Sequence, residues 1–313
     1  MSSELILHHF DLSPFAEKIR LLLGSQNARW RSVQIPMVMP KPDVLALTGG
    51  YRRTPQLQIG ADVWCDTALI ARVLDRRLGI GLFPSAHPLA PLLAQWADWT
   101  LFWSVIDFVS QPACVEFRFG HMSPEERSAI AADRTPFRST VPRLTPADSG
   151  ANLQVYLGSL QAQLTQMAQL AHCGDFLFGP LTVADFSVAH CLWHLRRGGP
   201  PAVELVDHFP GLLRWHDRML AFGHGRPEEL ASGDALHIAA GSKPEDCSFH
   251  PEPGLDQGMA VSVAATDYGL EPSEGTLVGL NTDEVVIARR DARAGTVHVH
   301  FPRAGFRITP LAA

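Results

Sequence analysis

The chain has 313 residues, 46% hydrophobic and 19% charged, with a net charge of −6 and a pI near 6.1. That length supports two or three packed domains, and the acidic balance without a basic cluster argues against a nucleic-acid partner. No stretch approaches the roughly 20 apolar residues of a membrane span, and the N-terminal MSSELILHHF lacks the basic start and apolar core of a signal peptide. In chain order, Leu5 to Phe10 reads as a short buried strand. Ser13 is an N-cap and Pro14 takes the first helical position. Phe15, Ile19, Leu22 and Leu23 then repeat at helical spacing up to Gly24. Trp30 to Ile35 alternates like a second strand, and a proline-rich stretch leads into a short helix ending at Gly49-Gly50. Gln56 to Ile59 and Val63 to Trp64 flank Gly60-Ala61-Asp62, a hairpin signal. Asp66 caps a helix with Leu69, Ile70, Val73, Leu74 and Leu78 on one face.

After Pro84 to Pro91 the texture becomes helical, with stretches expected at about 89–111, 123–133, 150–172, 182–197 and 209–222. The segment 112–149, dense in arginine and proline, reads as irregular. From about Gly225 the helical spacing gives way to short β-branched runs at 259–264, 275–280, 284–288 and 296–301, with Asp291 to Gly295 as a hairpin loop. These predict a separate small barrel or sandwich packed on the helices. The five cysteines (Cys65, Cys114, Cys173, Cys191 and Cys247) are scattered, odd in number and without a C-x-x-C pair. That argues against a disulfide scaffold and a dithiol centre, and fits a reducing cytoplasm.

Four local features converge. Ser13-Pro14-Phe15 is followed by Lys18 and Arg20; Arg53-Thr54-Pro55 precedes a strand; Asp66-Thr67 opens a helix; and Leu181 to Phe186 forms a helix-capping box. Their order and spacing resemble the serine-type cytosolic glutathione transferases over roughly residues 4–222. The resemblance implies a thioredoxin-like α/β domain at 1–84 and an all-helical domain at 88–224. The small β-rich domain at 232–313 lies outside it.

What the resemblance implies for chemistry has a physical basis. Ser13 stands at a helix N-terminus, where free N–H groups and the helix dipole favour an anion. Ionising a thiol of pKa ~8.5 at pH 7 takes about 2.7 kcal/mol. A charge-assisted hydrogen bond supplies roughly 1.5–3, so Ser13 is the expected thiolate activator; the plainer role is helix capping alone. The Thr54-Pro55 bond is expected to be cis, leaving the Thr54 backbone to pair with the cysteinyl backbone of glutathione like an added strand. Asp66 and Thr67 suit the γ-glutamyl ammonium and carboxylate at a second helix end, and each also suits a capping role. Arg53, with Lys41 and Arg52 behind it, is the expected partner of the glycyl carboxylate, against the alternative of a solvated surface charge. Thr182 and Asp185 read as structural.

Other candidates carry less. The only tyrosines are Tyr51, Tyr156 and Tyr268, none of them at the end of the first strand, which excludes the tyrosine class. Serine at position 13 disfavours the cysteine class, and Cys65 reads as core. His298 and His300, with His237 or His250, lack a defined third ligand, so no metal is expected. Trp96, Trp99 and Trp103 at helical spacing read as core, or as an aromatic wall of the electrophile site. The expected activity is conjugation of glutathione, as co-substrate, to a small apolar electrophile in detoxification. Alternatives are a non-catalytic glutathione- or ligand-binding scaffold with a β-rich interaction domain, and glutathione-dependent isomerisation or dehalogenation. The family usually dimerises, so a homodimer is implied, altered by residues 112–149 or by the β-rich unit.

Overall fold

The computed structural model describes residues 4–169 and 175–311. Cys173 and the end of the helix expected to reach 172 lie outside the described residues. The first 80 residues follow the expected order: β1 (Ile6–His9), α1 (Pro14–Ser25), β2 (Arg29–Gln34), α2 (Pro42–Thr48), β3 (Gln56–Ile59), β4 (Asp62–Cys65) and α3 (Thr67–Leu78). β1 pairs parallel with β2 and antiparallel with β3, and β3 pairs antiparallel with β4. This is the thioredoxin-like arrangement.

The helical layer begins with α4 (Ala90–Trp96), which passes through a π-helical turn (Ala97–Leu101) into α5 (Phe102–Phe108). Next come α6 (Pro112–Phe119), α7 (Pro124–Phe137), α8 (Pro146–Gln169), α9 (Val183–Arg196), α10 (Pro200–Asp207) and α11 (Pro210–Leu220). The irregular reading of 112–149 therefore holds for 138–145 but not across α6 and α7, and the helix expected at 123–133 is present as α7. Pro112, Pro124, Pro146, Pro200 and Pro210 each stand at a helix start, where the missing N–H has no partner to lose. α9 is buried along almost its whole length and packs on α1, α4, α10 and α11. The Asp185 carboxylate reaches back to the Thr182 amide at 2.9 Å and also accepts the Leu177 amide at 2.9 Å, which fixes the start of α9. Burial pushes the Asp185 carboxyl up to about 6 in spite of these bonds.

The rest of the chain clasps the thioredoxin-like sheet. β5 (Arg226–Glu229) runs parallel beside β2 at one edge, and α12 (Ser232–Ala240) crosses to α2. β6 (Ala260–Ala265), β7 (Ser273–Leu280), β8 (Glu284–Asp291) and β9 (Gly295–Pro302) form an antiparallel meander, with β10 (Phe306–Pro310) beside β6. β9 joins β4 in parallel register (Asp62 to His298, Val63 to Val299, Trp64 to His300), so one ten-stranded sheet runs through the N- and C-terminal parts of the chain. The strand-rich C-terminal region is present as expected, but it is not a closed barrel or sandwich standing on the helices. Its physical reason is the open edge of β4, which offers unpaired N–H and C=O groups to β9. Apolar residues from both parts share a core, with Leu47, Tyr51 and Val63 meeting Val261, Ile287, Val299 and Phe301.

Candidate functional site

Three loops of the thioredoxin-like sheet, the π-helical turn and three C-terminal turns surround a cavity of about 560 Å³. Arg53, Thr54, Pro55, Asp66 and Thr67 all line it. The Thr54-Pro55 bond is cis, as is Met39-Pro40, which nothing in the sequence announced. Asp66 caps α3 by accepting the Ala68 amide at 2.9 Å. Its backbone holds φ at 72°, a region that costs a non-glycine residue of order 1–3 kcal/mol and persists where its surroundings impose it. Burial raises the Asp66 carboxyl pKa, partly offset by Arg53 and the Ala68 amide. Thr67 is buried, and its hydroxyl accepts from Lys18 Nζ at 3.4 Å.

Ser13 does not line the cavity. It is 3% exposed, and its hydroxyl accepts the Ala16 amide at 3.2 Å, an N-cap bond. Its neighbour Phe15 does reach the cavity wall. Lys18, quoted above only as part of the motif, proves to be a wall residue. Its Nζ meets Asp98 Oδ2 at 2.6 Å, and Asp98 Oδ1 takes His190 Nε2 at 2.9 Å. Burial raises the Asp98 carboxyl, but Lys18 and His190 outweigh that and hold it below the ordinary carboxylate range. In the sequence the one signal for Asp98 is a charge in an otherwise apolar stretch.

The aromatic residues divide. Trp99 faces the cavity, Trp96 packs edge-on against Tyr156, and Trp103 is buried under Tyr268. Tyr51 and Tyr268 also stand on the wall although neither lies on β1, so excluding tyrosine at the end of the first strand does not remove it from the site. Tyr268 comes from the C-terminal region, as do Thr266, Asp267, Asp283 and Phe306 of the lining. Cys65 is fully buried core. His300 is clamped between Asp62 and Glu284, each ring nitrogen 3.0 Å from a carboxylate oxygen. His298 Nδ1 lies 3.6 Å from Cys247 Sγ. Among the described residues no group of three or more His, Cys, Asp or Glu is arranged to hold a metal ion.

Comparison with known proteins agrees with this fold. Residues 7–79 match the family model described as glutathione S-transferase, N-terminal domain, and residues 150–218 match the corresponding C-terminal domain. The crystal structure of a GST-like protein from Pseudomonas syringae is 41% identical, covers 99% of this chain and 100% of its own, and superposes with a TM-score of 0.81. The chain belongs to the glutathione S-transferase family. FtsZ-localized protein A of Caulobacter vibrioides is 25% identical over 223 residues, 68% of this chain and 95% of that protein. A glutathione S-transferase from Rhodospirillum rubrum F11 is 19% identical over 69% of this chain and 88% of its own, at a TM-score of 0.50, and shares the fold. The Pseudomonas syringae protein therefore matches the C-terminal strands as well, whereas the other two alignments leave about a third of this chain unmatched. Among the described residues, no helix is long and apolar enough to cross a membrane.

Proposed function

We propose that this cavity is a glutathione site and that the chain conjugates the bound thiol to a small apolar electrophile. One observation carries the reading. The Thr54-Pro55 edge and the Asp66-Thr67 helix end open onto one cavity, opposite an apolar wall of Phe15, Phe83, Leu92 and Trp99. The Thr54 backbone would pair with the cysteinyl unit. Asp66 would take the γ-glutamyl ammonium, and the amides at the start of α3, with the Thr67 hydroxyl, its carboxylate. The electrophile would lie on the apolar wall. Ser13 is the proposed activator of the thiolate. In this reading residues 1–84 bind glutathione and give Phe15 and Phe83 to the electrophile wall, 88–224 complete that wall with Leu92 and Trp99, and 232–313 are an accessory unit fused to the first through the shared sheet. The protein would work in the cytoplasm, as a homodimer, in detoxification.

A second reading, binding without turnover on a transferase scaffold, is favoured by the position of Ser13, whose hydroxyl is sequestered as a cap. Calorimetric titration with glutathione, run beside a thiol-conjugation assay on a panel of aryl halides, enones and epoxides, separates the two. Conjugation that falls at least tenfold in Ser13→Ala supports the first reading. Binding with no turnover on any electrophile supports the second, and no binding overturns both.

A further inference from the structure

Three cations stand near the Thr54-Pro55 edge, where a ligand carboxylate would be expected, and all three are engaged by the chain itself. The Arg53 guanidinium is paired with the Asp267 carboxylate and the Tyr268 carbonyl, lies 3.8 Å from the centroid of the Tyr268 ring, and has a side chain only 9% exposed. Arg52 is paired with Asp133 and, at 3.2 Å, with Glu271. Lys41 Nζ donates to Thr54 Oγ1 at 3.0 Å and to the Arg52 carbonyl at 3.4 Å. Burial, with Arg134 and Arg52 close by, lowers the Lys41 pKa to about 7.

Two of the occupying carboxylates, Asp267 and Glu271, come from the single turn that joins β6 to β7. That turn is built into place. The Thr266 amide donates to the Gly305 carbonyl at 3.0 Å, the Gly269 amide donates to the Phe137 carbonyl at 3.0 Å, and the Thr140 hydroxyl donates to the Asp267 carbonyl. Tyr268 is wedged among Trp99, Trp103 and Phe137. Gly269 holds φ at +54°, and a Cβ there would come within 2.6 Å of the Phe137 ring, so close approach of this turn to α7 requires glycine. Asp283 adds a further carboxylate to the cavity lining.

We propose that the turn 266–271 is a built-in occupant of the carboxylate end of the cavity, and that it makes the site select γ-glutamyl-cysteinyl thiols whose far end is neutral or cationic over glutathione itself. This rests on the reading of the cavity as a glutathione-type site and narrows its ligand. A glycyl carboxylate would have to displace Asp267 from Arg53 and would meet the negative charge of Asp267 there. An amide or an amine at that end meets no such conflict, and an amine gains from it.

The test is calorimetric titration of the full chain at pH 7 with glutathione and with glutathione amidated at its glycine. Wild type is expected to bind the amide at least as tightly as glutathione. In Asp267→Asn, which keeps the side-chain shape but removes the charge from Arg53, the affinity ratio should move about tenfold toward glutathione, the size of one charge-assisted hydrogen bond. Glu271→Gln should move it in the same direction by less. This variant covers the case in which Asp267→Asn fails to fold, since the Glu271 side chain is 45% exposed and its loss leaves Tyr268 in place. A wild-type protein that prefers glutathione tenfold, or folded variants whose ratio does not move, overturns the selectivity and leaves the glutathione site standing. Binding of neither thiol to any of the proteins overturns the glutathione reading and the selectivity with it.

Discussion

Ending the chain after Gly225 should leave a protein that aggregates or loses much of its stability. The cut removes β9 from the edge of β4, β5 from the edge of β2, and α12 from α2. Leu47, Tyr51 and Val63, at 1%, 4% and 0% exposure, would then face water, because the residues covering them are Phe301, Phe306, Val299 and their neighbours on the lost strands. Burial of a large apolar side chain contributes about 1.5–3 kcal/mol. Three such residues therefore represent roughly 5–9 kcal/mol, comparable with the whole stability of a domain at about 5–15 kcal/mol. Two unpaired strand edges would open at the same time, each a template for association. The assay is soluble yield, size-exclusion profile and thermal midpoint of the 1–225 chain beside the full chain. The expected result is aggregation, or a soluble species with a midpoint depressed by well over 10 °C, taking about 4 °C per kcal/mol. A monodisperse 1–225 protein that keeps the full-length midpoint would refute the claim that the C-terminal strands belong to the core.

Three other outcomes are expected. Ser13→Ala should cost about 1 kcal/mol of stability through the lost cap; if Ser13 also activates the thiol, turnover falls at least tenfold beyond what unfolding explains, measured as kcat on a folded sample. Asp66→Ala and Thr67→Ala should weaken glutathione binding more than they lower the thermal midpoint, and equal losses would reduce both residues to caps of α3. For His300, burial alone would lower the pKa, but the hydrogen bonds to Asp62 and Glu284 outweigh it and raise the folded value above the usual 6.5. Its stabilisation is therefore complete below pH 6.5 and is lost as the pH rises through the raised value. Urea midpoints of wild type should fall as the pH rises from 6.5 through the raised value, and His300→Gln should flatten the fall.

The N-terminal layer was legible because its signals are local. Ser13-Pro14, the Gly60-Ala61 turn and the Asp66 cap each announce an element within a few residues, and the elements stand where those signals put them. The same local logic misled at 112–149, where density in arginine and proline reads as irregular although α6 and α7 form there, with Pro136 held inside α7. α12 and β5 left little trace. β5 reads Arg-Pro-Glu-Glu with every residue exposed, so no alternation marks it as a strand. The meander was visible through Val261 and Val263, Val285 and Ile287, and Val297 and Val299, but its docking edge was not. Pairing β4 with β9 joins residues more than 200 positions apart, and no periodicity within either segment encodes the partner. In the site, Arg53, Thr54, Pro55, Asp66 and Thr67 were legible through the resemblance carried by their short motifs, and all five line the cavity. Lys18, Asp98, Tyr268 and Asp267 escaped because their roles exist only once distant segments meet.

The meeting of those segments ties stability to recognition. Trp64 on β4 stacks on His300 of β9 at 4.6 Å, and His300 in turn bridges Asp62 and Glu284, so the seam between the two parts of the sheet is a buried ionic cluster under an aromatic ring. A cluster of this kind is costly to break by losing one partner, since the remaining carboxylates stay buried. The seam also positions the meander, and the meander carries the 266–271 turn onto Arg52 and Arg53. A substitution at Asp62 or His300 lies outside the cavity lining, yet it loosens the element that decides which carboxylate Arg53 meets. Ligand selectivity should therefore respond to the seam as well as to the cavity. In His300→Gln the preference for amidated thiol over glutathione should weaken together with the midpoint, whereas a variant of equal instability at the cap of α9, such as Thr182→Ala, should leave that preference unchanged. If both variants shift the preference equally, the seam acts only through global stability, and the coupling argued here is wrong.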